Sequence, residues 1–75
     1  MIKELDTVVL TEDLSDQGLK QGDLATVVLV HTKGGYDVEF MTLDGETLAV
    51  VSLYPHQVRP VARREIAQAR AVQVG

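Results

Sequence analysis

The side chains that could do chemistry in this chain are few and widely spaced. His31 and His56 are its only imidazoles, and its 75 residues include no cysteine. A zinc site takes three or four such ligands at short, regular spacings, and neither histidine has a second ligand at such a spacing. We predict no metal site and no cofactor, with His31 at the solvent end of a strand and His56 in an exposed turn.

Groups for general acid–base or nucleophilic catalysis are also poorly placed. The acidic pair at 12–13 and the strand acids Asp37 and Glu39 occupy polar positions, where we expect carboxylates to be solvated rather than tuned for proton transfer. Ser15 and Ser52 stand outside any nucleophile-elbow pattern. We therefore predict a protein without catalytic residues, which is not an enzyme.

The remaining candidates could bind a partner. Tyr54 and His56 form the most distinctive exposed cluster, and aromatic side chains favour interfaces because they bury a large area at small entropic cost. The alternative is that Tyr54 only closes one end of the fold. Further on, Arg63 and Arg64 beside Ile66 could contact an acidic partner, nucleic acid or the acidic body of the same chain. These five residues are our predicted partner-binding residues.

Turn signals at short intervals predict several short strands that position these residues. In residues 36–41, Tyr36, Val38 and Phe40 alternate with two acids, so one face of that strand meets a core and the other meets water. Residues 53–58, at the end of the fourth strand, are predicted to form a single helical turn. Pro60 has no amide donor and must lie at an edge or an end. The predicted strands are residues 7–10, 24–31, 36–41, 47–53 and 59–61.

A compact architecture follows from these elements. The long connection 11–22 offers only Leu14 and Leu19 as inward anchors, which predicts an ordered loop. Five short antiparallel strands satisfy their edges best by curling into a barrel. We predict an all-β fold, a small SH3-like five-stranded barrel over residues 1–61.

Residues 62–75 form a second segment, predicted to be a short C-terminal helix or a flexible tail. A helix of this length is marginal in water unless its apolar face is covered. Two strand segments, 27–30 and 48–51, are apolar on both faces, so the tail or a second subunit could cover their outer side. The apolar tail residues recur at helical spacings: Ala62, Ile66, Ala69 and Val72.

Composition narrows the choice of partner. Residues 1–61 carry a charge of −6 and residues 62–75 carry +2, which together give the chain's −4. An acidic body repels phosphate backbones, so nucleic-acid binding is disfavoured.

The first residues are not a signal peptide, and no apolar run approaches a membrane span, so we expect a cytoplasmic protein. So small a core favours oligomerisation.

A resemblance to known proteins is carried by four segments, which are Lys20–Val28, Asp37–Phe40, Leu43–Thr47 and Val58–Val61. These segments resemble a family of small bacterial proteins, grouped as domain of unknown function 4926. The resemblance runs in order over roughly residues 1–61. It implies an SH3-like fold and supplies no assigned activity. At one position where the family most often has glycine, this sequence has Ala25.

Together these observations favour a non-catalytic protein-interaction module. It would bind a partner protein in an antitoxin-like role or as an accessory subunit, or it would associate with itself as a homo-oligomer. The alternative is a nucleic-acid-binding small barrel that uses the arginines of the tail. Binding to DNA or RNA that weakens steeply as the salt concentration rises would support nucleic-acid binding over protein binding.

Overall fold

The computed structural model describes residues 1–72. Five antiparallel strands account for nearly all of its regular structure, which confirms the predicted all-β class. Short 3-10 turns at Ser15–Gln17 and Pro55–Gln57 interrupt the connections before β2 and β5. The strands are β1 (Thr7–Leu10), β2 (Leu24–Val30), β3 (Tyr36–Met41), β4 (Thr47–Leu53) and β5 (Val58–Pro60).

All five strands belong to one sheet, in the order β4-β3-β2-β1-β5. The outermost strands β4 and β5 do not pair, so the predicted barrel closed by backbone hydrogen bonds is wrong. The physical reason lies in β5, which has only three residues, pairs with β1 along one side and contains Pro60, which has no amide donor. Pro60 thus lies in an edge strand, as predicted.

The core lies on one face of this open sheet. Val8, Leu10, Val27 and Val38 are fully buried there, because apolar residues at alternate positions of each strand point to the same side. Every strand contributes to the single core cluster, so the sheet must curl around it. Leu19 of the long connection is also buried and Leu14 packs against the core, which confirms the predicted anchors. We call the opposite side of the sheet the outer face.

The hairpin between β2 and β3 depends on a glycine. Gly35 has a φ of 99°, a conformation that side-chain-bearing residues rarely adopt. A β carbon at this position would lie 2.9 Å from the carbonyl oxygen of Leu53 in β4. Only glycine lets the two backbones come this close.

Residues 62–72 contain no helix, so the helical form of the predicted tail is wrong over that range. The helix would have needed cover for its apolar side, and none is present, since Ile66 is 94% exposed. Arg64 instead takes a φ of 62°, which ends any helical turn at that point. Residues 73–75 of the predicted tail lie outside the described residues. Nowhere in residues 1–72 is there a helix long and apolar enough to cross a membrane.

Candidate functional site

The turn at residues 54–57 is built by local hydrogen bonds. Tyr54 is extended, with a ψ of 157°, and Pro55 begins the 3-10 turn with the φ that its ring imposes. The Gln57 amide donates to the Tyr54 carbonyl over 3.0 Å, and the Gln57 side-chain oxygen accepts from the Tyr54 amide over 2.8 Å. These two bonds fix the direction in which Tyr54 and His56 leave the backbone.

The loop after β1 holds this turn in place. The Thr11 amide donates to the Gln57 carbonyl over 2.8 Å, and the Thr11 hydroxyl donates to the His56 carbonyl over 2.7 Å. Glu12 accepts a hydrogen bond from the Gln57 side chain at 3.3 Å, and its other oxygen lies 4.0 Å from Nε2 of His56. The turn is therefore a fixed platform.

Tyr54 and His56 present stacked rings on this platform. The ring centroids are 5.8 Å apart and the planes differ by 9°. Tyr54 is 69% exposed, so it does not bury itself at the end of the fold. Stacked, exposed and held by a fixed backbone, the pair can bind an apolar or aromatic group with little loss of side-chain entropy.

The predicted residues Arg63 and Arg64 lie in a tight turn after β5, Ile66 follows this turn, and all three are exposed. No hydrogen bond or ion pair between residues 1 and 72 joins them to Tyr54 or His56. The structure thus groups the five predicted residues into two clusters, one at the 3-10 turn and one in the tail. Their role in binding stays a prediction.

Glu65 holds the tail turn to β5. Its carboxylate accepts two hydrogen bonds from Arg59, at 2.9 and 2.7 Å, and one from the Ala62 amide. The Arg59 guanidinium, followed by the Ala62 amide, lowers the pKa of Glu65 to about 2. Arg59 is therefore engaged within the chain, whereas Arg63 and Arg64 have no ion pair within residues 1–72.

Arg70 forms a second attachment between the tail and the sheet. Its guanidinium donates to both carboxylate oxygens of Asp23, with 2.8 Å between Nε of Arg70 and Oδ1 of Asp23. It also donates to the Gly18 carbonyl oxygen over 3.1 Å. Partial burial alone would raise the pKa of Asp23, but hydrogen bonds from Arg70 and the Lys20 amide outweigh it, so this pKa is lowered. Among the tail arginines, Arg70 therefore pairs with the acidic body of the same chain.

A cavity of about 540 Å³ opens between the tail and the sheet end, beside the β3–β4 hairpin. Leu19 and Phe40 of the core line it, together with residues 67–70 and Val72 of the tail. Arg70 and Asp23, which form the ion pair, are also lining residues. Leu24 and Met41 face the tail across this cavity, whereas the exposed residues Val28, Leu29 and Val50 lie outside it.

The middle of the outer face carries a polar network that we did not predict from the sequence. Asp37 in β3 accepts hydrogen bonds from the hydroxyl of Ser52 in β4 and from Nε2 of His31 at 2.8 Å. The Ser52 hydroxyl, followed by the His31 ring, lowers the pKa of Asp37. Beside it, Glu39 accepts from the Thr47 hydroxyl over 2.6 Å. These acids are therefore partnered, although we expected them to be simply solvated.

This network can orient side chains but lacks the geometry of a nucleophilic site. Ser52 and His31 both bond the same oxygen of Asp37, so no imidazole accepts the serine proton. Within residues 1–72, no group of three His, Cys, Asp or Glu side chains is arranged to hold a metal ion. The Ser52 signal was present in the sequence, because a hairpin with its turn at Asp44-Gly45 places residue 52 opposite residue 37.

Large apolar side chains surround the polar network. They lie on β2, β3 and β4 around the hydrogen-bonded acids, and each is at least two-fifths exposed. Val28 and Leu29 are both exposed because the register between β2 and β3 shifts between Val27 and Leu29, which places Leu29 opposite Asp37. Val50, at 60%, is the most exposed apolar residue of β4. We call this set the outer-face patch; it consists of Leu24, Val28, Leu29, Met41 and Val50.

Comparison with known proteins identifies a family but no activity. Neither the curated proteins nor the solved structures include a match to this chain. The model of the family described as Domain of unknown function (DUF4926) matches residues 4–60, which span all five strands and the long β1–β2 connection. The chain therefore belongs to the DUF4926 family.

Proposed function

We propose that the protein is a non-catalytic protein-interaction module with an SH3-like fold whose sheet stays open, and that it binds a partner protein through its outer face. The strand order β4-β3-β2-β1-β5, the long connection after β1 and the 3-10 turn before β5 support the SH3-like description. The role could be antitoxin-like or that of an accessory subunit. It fits the cytoplasmic, bacterial setting that the sequence predicts.

The observation that carries this proposal is the outer-face patch. Leu29 is 45% exposed in the middle of the sheet, with Val28 beside it and Val50 two strands away. Single exposed apolar residues are ordinary, but a group of them on one rigid sheet face is typical of an interaction site. The hydrogen-bonded acids between them would set the orientation of the partner, since buried polar groups must keep their bonds.

The patch also suggests the kind of partner. Apolar contacts near Leu29 would contribute most of the affinity, and the partnered carboxylates of Asp37 and Glu39 favour a partner surface with basic side chains beside its apolar residues. Tyr54 and His56 and the arginines of the tail turn are the proposed additional contacts at the rim.

Nucleic-acid binding is the second candidate, and exposed Arg63 and Arg64 are the observation that favours it. Arg59 and Arg70 are already paired with carboxylates, so Arg63 and Arg64 are the arginines left to contact phosphates, on a protein whose body is acidic. Each phosphate contact steepens the dependence of affinity on salt. Binding to DNA or RNA that weakens steeply with salt and is lost in an Arg63→Gln/Arg64→Gln variant would support this second function instead.

Affinity capture from the source cell tests the main proposal. The wild-type chain is compared with Leu29→Lys, which places a charge in the patch, and with Gln17→Lys, which makes the same charge change at an exposed site on the first 3-10 turn. We expect one protein to be captured near stoichiometrically by the wild type and by Gln17→Lys and to be lost with Leu29→Lys. Equal capture by all three chains would contradict the proposal.

A further inference from the structure

We propose that the protein forms a two-fold dimer in which β4 of one copy pairs antiparallel with β4 of a second copy, joining two sheets into one of ten strands. This site is the backbone edge of β4, which contains Val50 of the outer-face patch. Pairing with a second copy along this edge goes beyond the proposed binding of a partner protein. It rests on the backbone of β4, on the contrast between the two edges of the sheet and on charge.

The backbone of β4 has one side without a partner. β4 pairs only with β3, and no other backbone hydrogen bond reaches residues 47–53 from elsewhere in residues 1–72. The outward amides and carbonyls of an edge strand can bind another strand, because an extended chain places its own carbonyls and amides at the spacing needed to hydrogen-bond with them. The occupant of this edge is therefore an extended strand.

The two edges of the sheet differ in how they are protected. β5 is three residues long and carries Pro60 and the charged Arg59, which are features that prevent strand addition. β4 is seven residues long, with no proline and no charged side chain. Only the first part of β4 is irregular, where the register with β3 shifts beside Phe40, and residues 49–53 remain in regular pairing. This regular stretch is the pairing edge.

Charge favours a second copy as the source of the added strand. An uncharged edge is matched by an uncharged strand, and within residues 1–72 β4 is the strand that has both an unpaired edge and no charged side chain. In a pair centred near Val51, the acids of β3 in the two copies lie three strand spacings apart, about 14 Å. This distance exceeds the screening length of about 8 Å at physiological salt, so two acidic chains can meet here.

The dimer would also help the proposed module. A chain of 75 residues buries a small core, and pairing with a copy is one of the few ways to add buried surface without cysteine. Two outer faces would lie side by side on one continuous sheet. A partner with two matching sites would then bind more tightly through avidity, although each contact is unchanged.

Sedimentation velocity of the full chain over a wide concentration range tests this inference. Val50→Lys places a charge on the edge strand, within about 8 Å of the same charge on the second copy, because diagonal neighbours across a strand pair lie at this distance. Val28→Lys is the matched control, since it makes the same change on β2, away from the edge. Circular dichroism confirms that both variants fold.

We expect the wild type to dimerise. Val50→Lys should weaken dimerisation by about tenfold or more, because like charges across a strand pair repel. Val28→Lys should leave dimerisation nearly unchanged. An equimolar mixture of Val50→Lys and Val50→Glu should dimerise again, because opposite charges then meet. Amides at 49–53 should exchange more slowly with deuterium as wild-type concentration rises. A wild type that stays monomeric, or loses its dimer equally with Val28→Lys, overturns the inference and leaves the capture experiment unaffected.

Discussion

Replacing Gly35 by alanine should destabilise the protein far more than the same change at Gly45. The two glycines have nearly equal φ values, 99° and 98°, so alanine meets the same backbone strain at both. That strain costs about 1–3 kcal/mol. The surroundings differ, since the added carbon at Gly35 would lie 2.9 Å from the Leu53 carbonyl oxygen, whereas the space around Gly45 is open.

The close contact at Gly35 sets the difference between the two variants. The Leu53 carbonyl belongs to β4, opposite Tyr36, and cannot move without disturbing the β3–β4 ladder. Forcing an extra carbon into such a packed position adds about 1–3 kcal/mol. For a domain with roughly 4–11 kcal/mol of total stability, at about 0.05–0.15 kcal/mol per residue, this is a large fraction.

Urea denaturation and thermal melts, followed by circular dichroism, measure this difference. We expect Gly35→Ala to unfold with about 2 kcal/mol less stability than Gly45→Ala, which corresponds to a melting temperature lower by about 8–16 °C in a domain of this size. The Gly45→Ala variant is the control for backbone strain alone. Equal losses in the two variants would refute the reasoning, because the contact with Leu53 would then have no energetic consequence.

Three further predictions concern the core and the tail. Val38→Ala should cost about 2–3 kcal/mol because Val38 is fully buried, whereas Val50→Ala should stay within about 0.5 kcal/mol in the same urea titration. The carboxylate of Glu65 should titrate by NMR near pH 2, and Arg59→Gln should raise this midpoint. Because the folded pKa lies below the ordinary value of 4.5, the ion pair favours the docked tail above that pH and is lost as the pH falls toward 2. Arg70→Gln should speed tryptic cleavage after the tail arginines, and unchanged cleavage would contradict the role of that ion pair in holding the tail.

The strands were predictable from the sequence because their signals are local. The alternation at residues 36–41 fixed β3 to the residue, and Leu14 and Leu19 correctly marked the long connection as ordered. Whether the sheet closes depends on pairing between β4 and β5, which are far from adjacent in the sheet. Neighbouring residues carry no information about that pairing, and the open edge therefore appeared only in the structure.

The tail and the polar network show two other limits. The spacing of Ala62 and Ile66 indicated a helix, but spacing alone does not supply the surface that must cover it, and Ile66 is left exposed. The bond between Asp37 and Ser52 depends on the register across a hairpin, which the turn position predicts only if it is applied residue by residue. Tyr54 was correctly expected to be exposed, although its stacking on His56 required the turn geometry.

The central claim, that the outer face binds a protein, is tested most directly by the solvent exposure of its methyl groups. A soluble paramagnetic probe broadens the NMR signals of exposed methyls, and the signals of Val28 and Leu29 can be followed in the dilute chain and in the captured complex. We predict strong broadening in the free chain and protection in the complex, while Val61, which is exposed outside the patch, stays broadened in both. Equal broadening of Val28 and Leu29 in the two states would contradict the account.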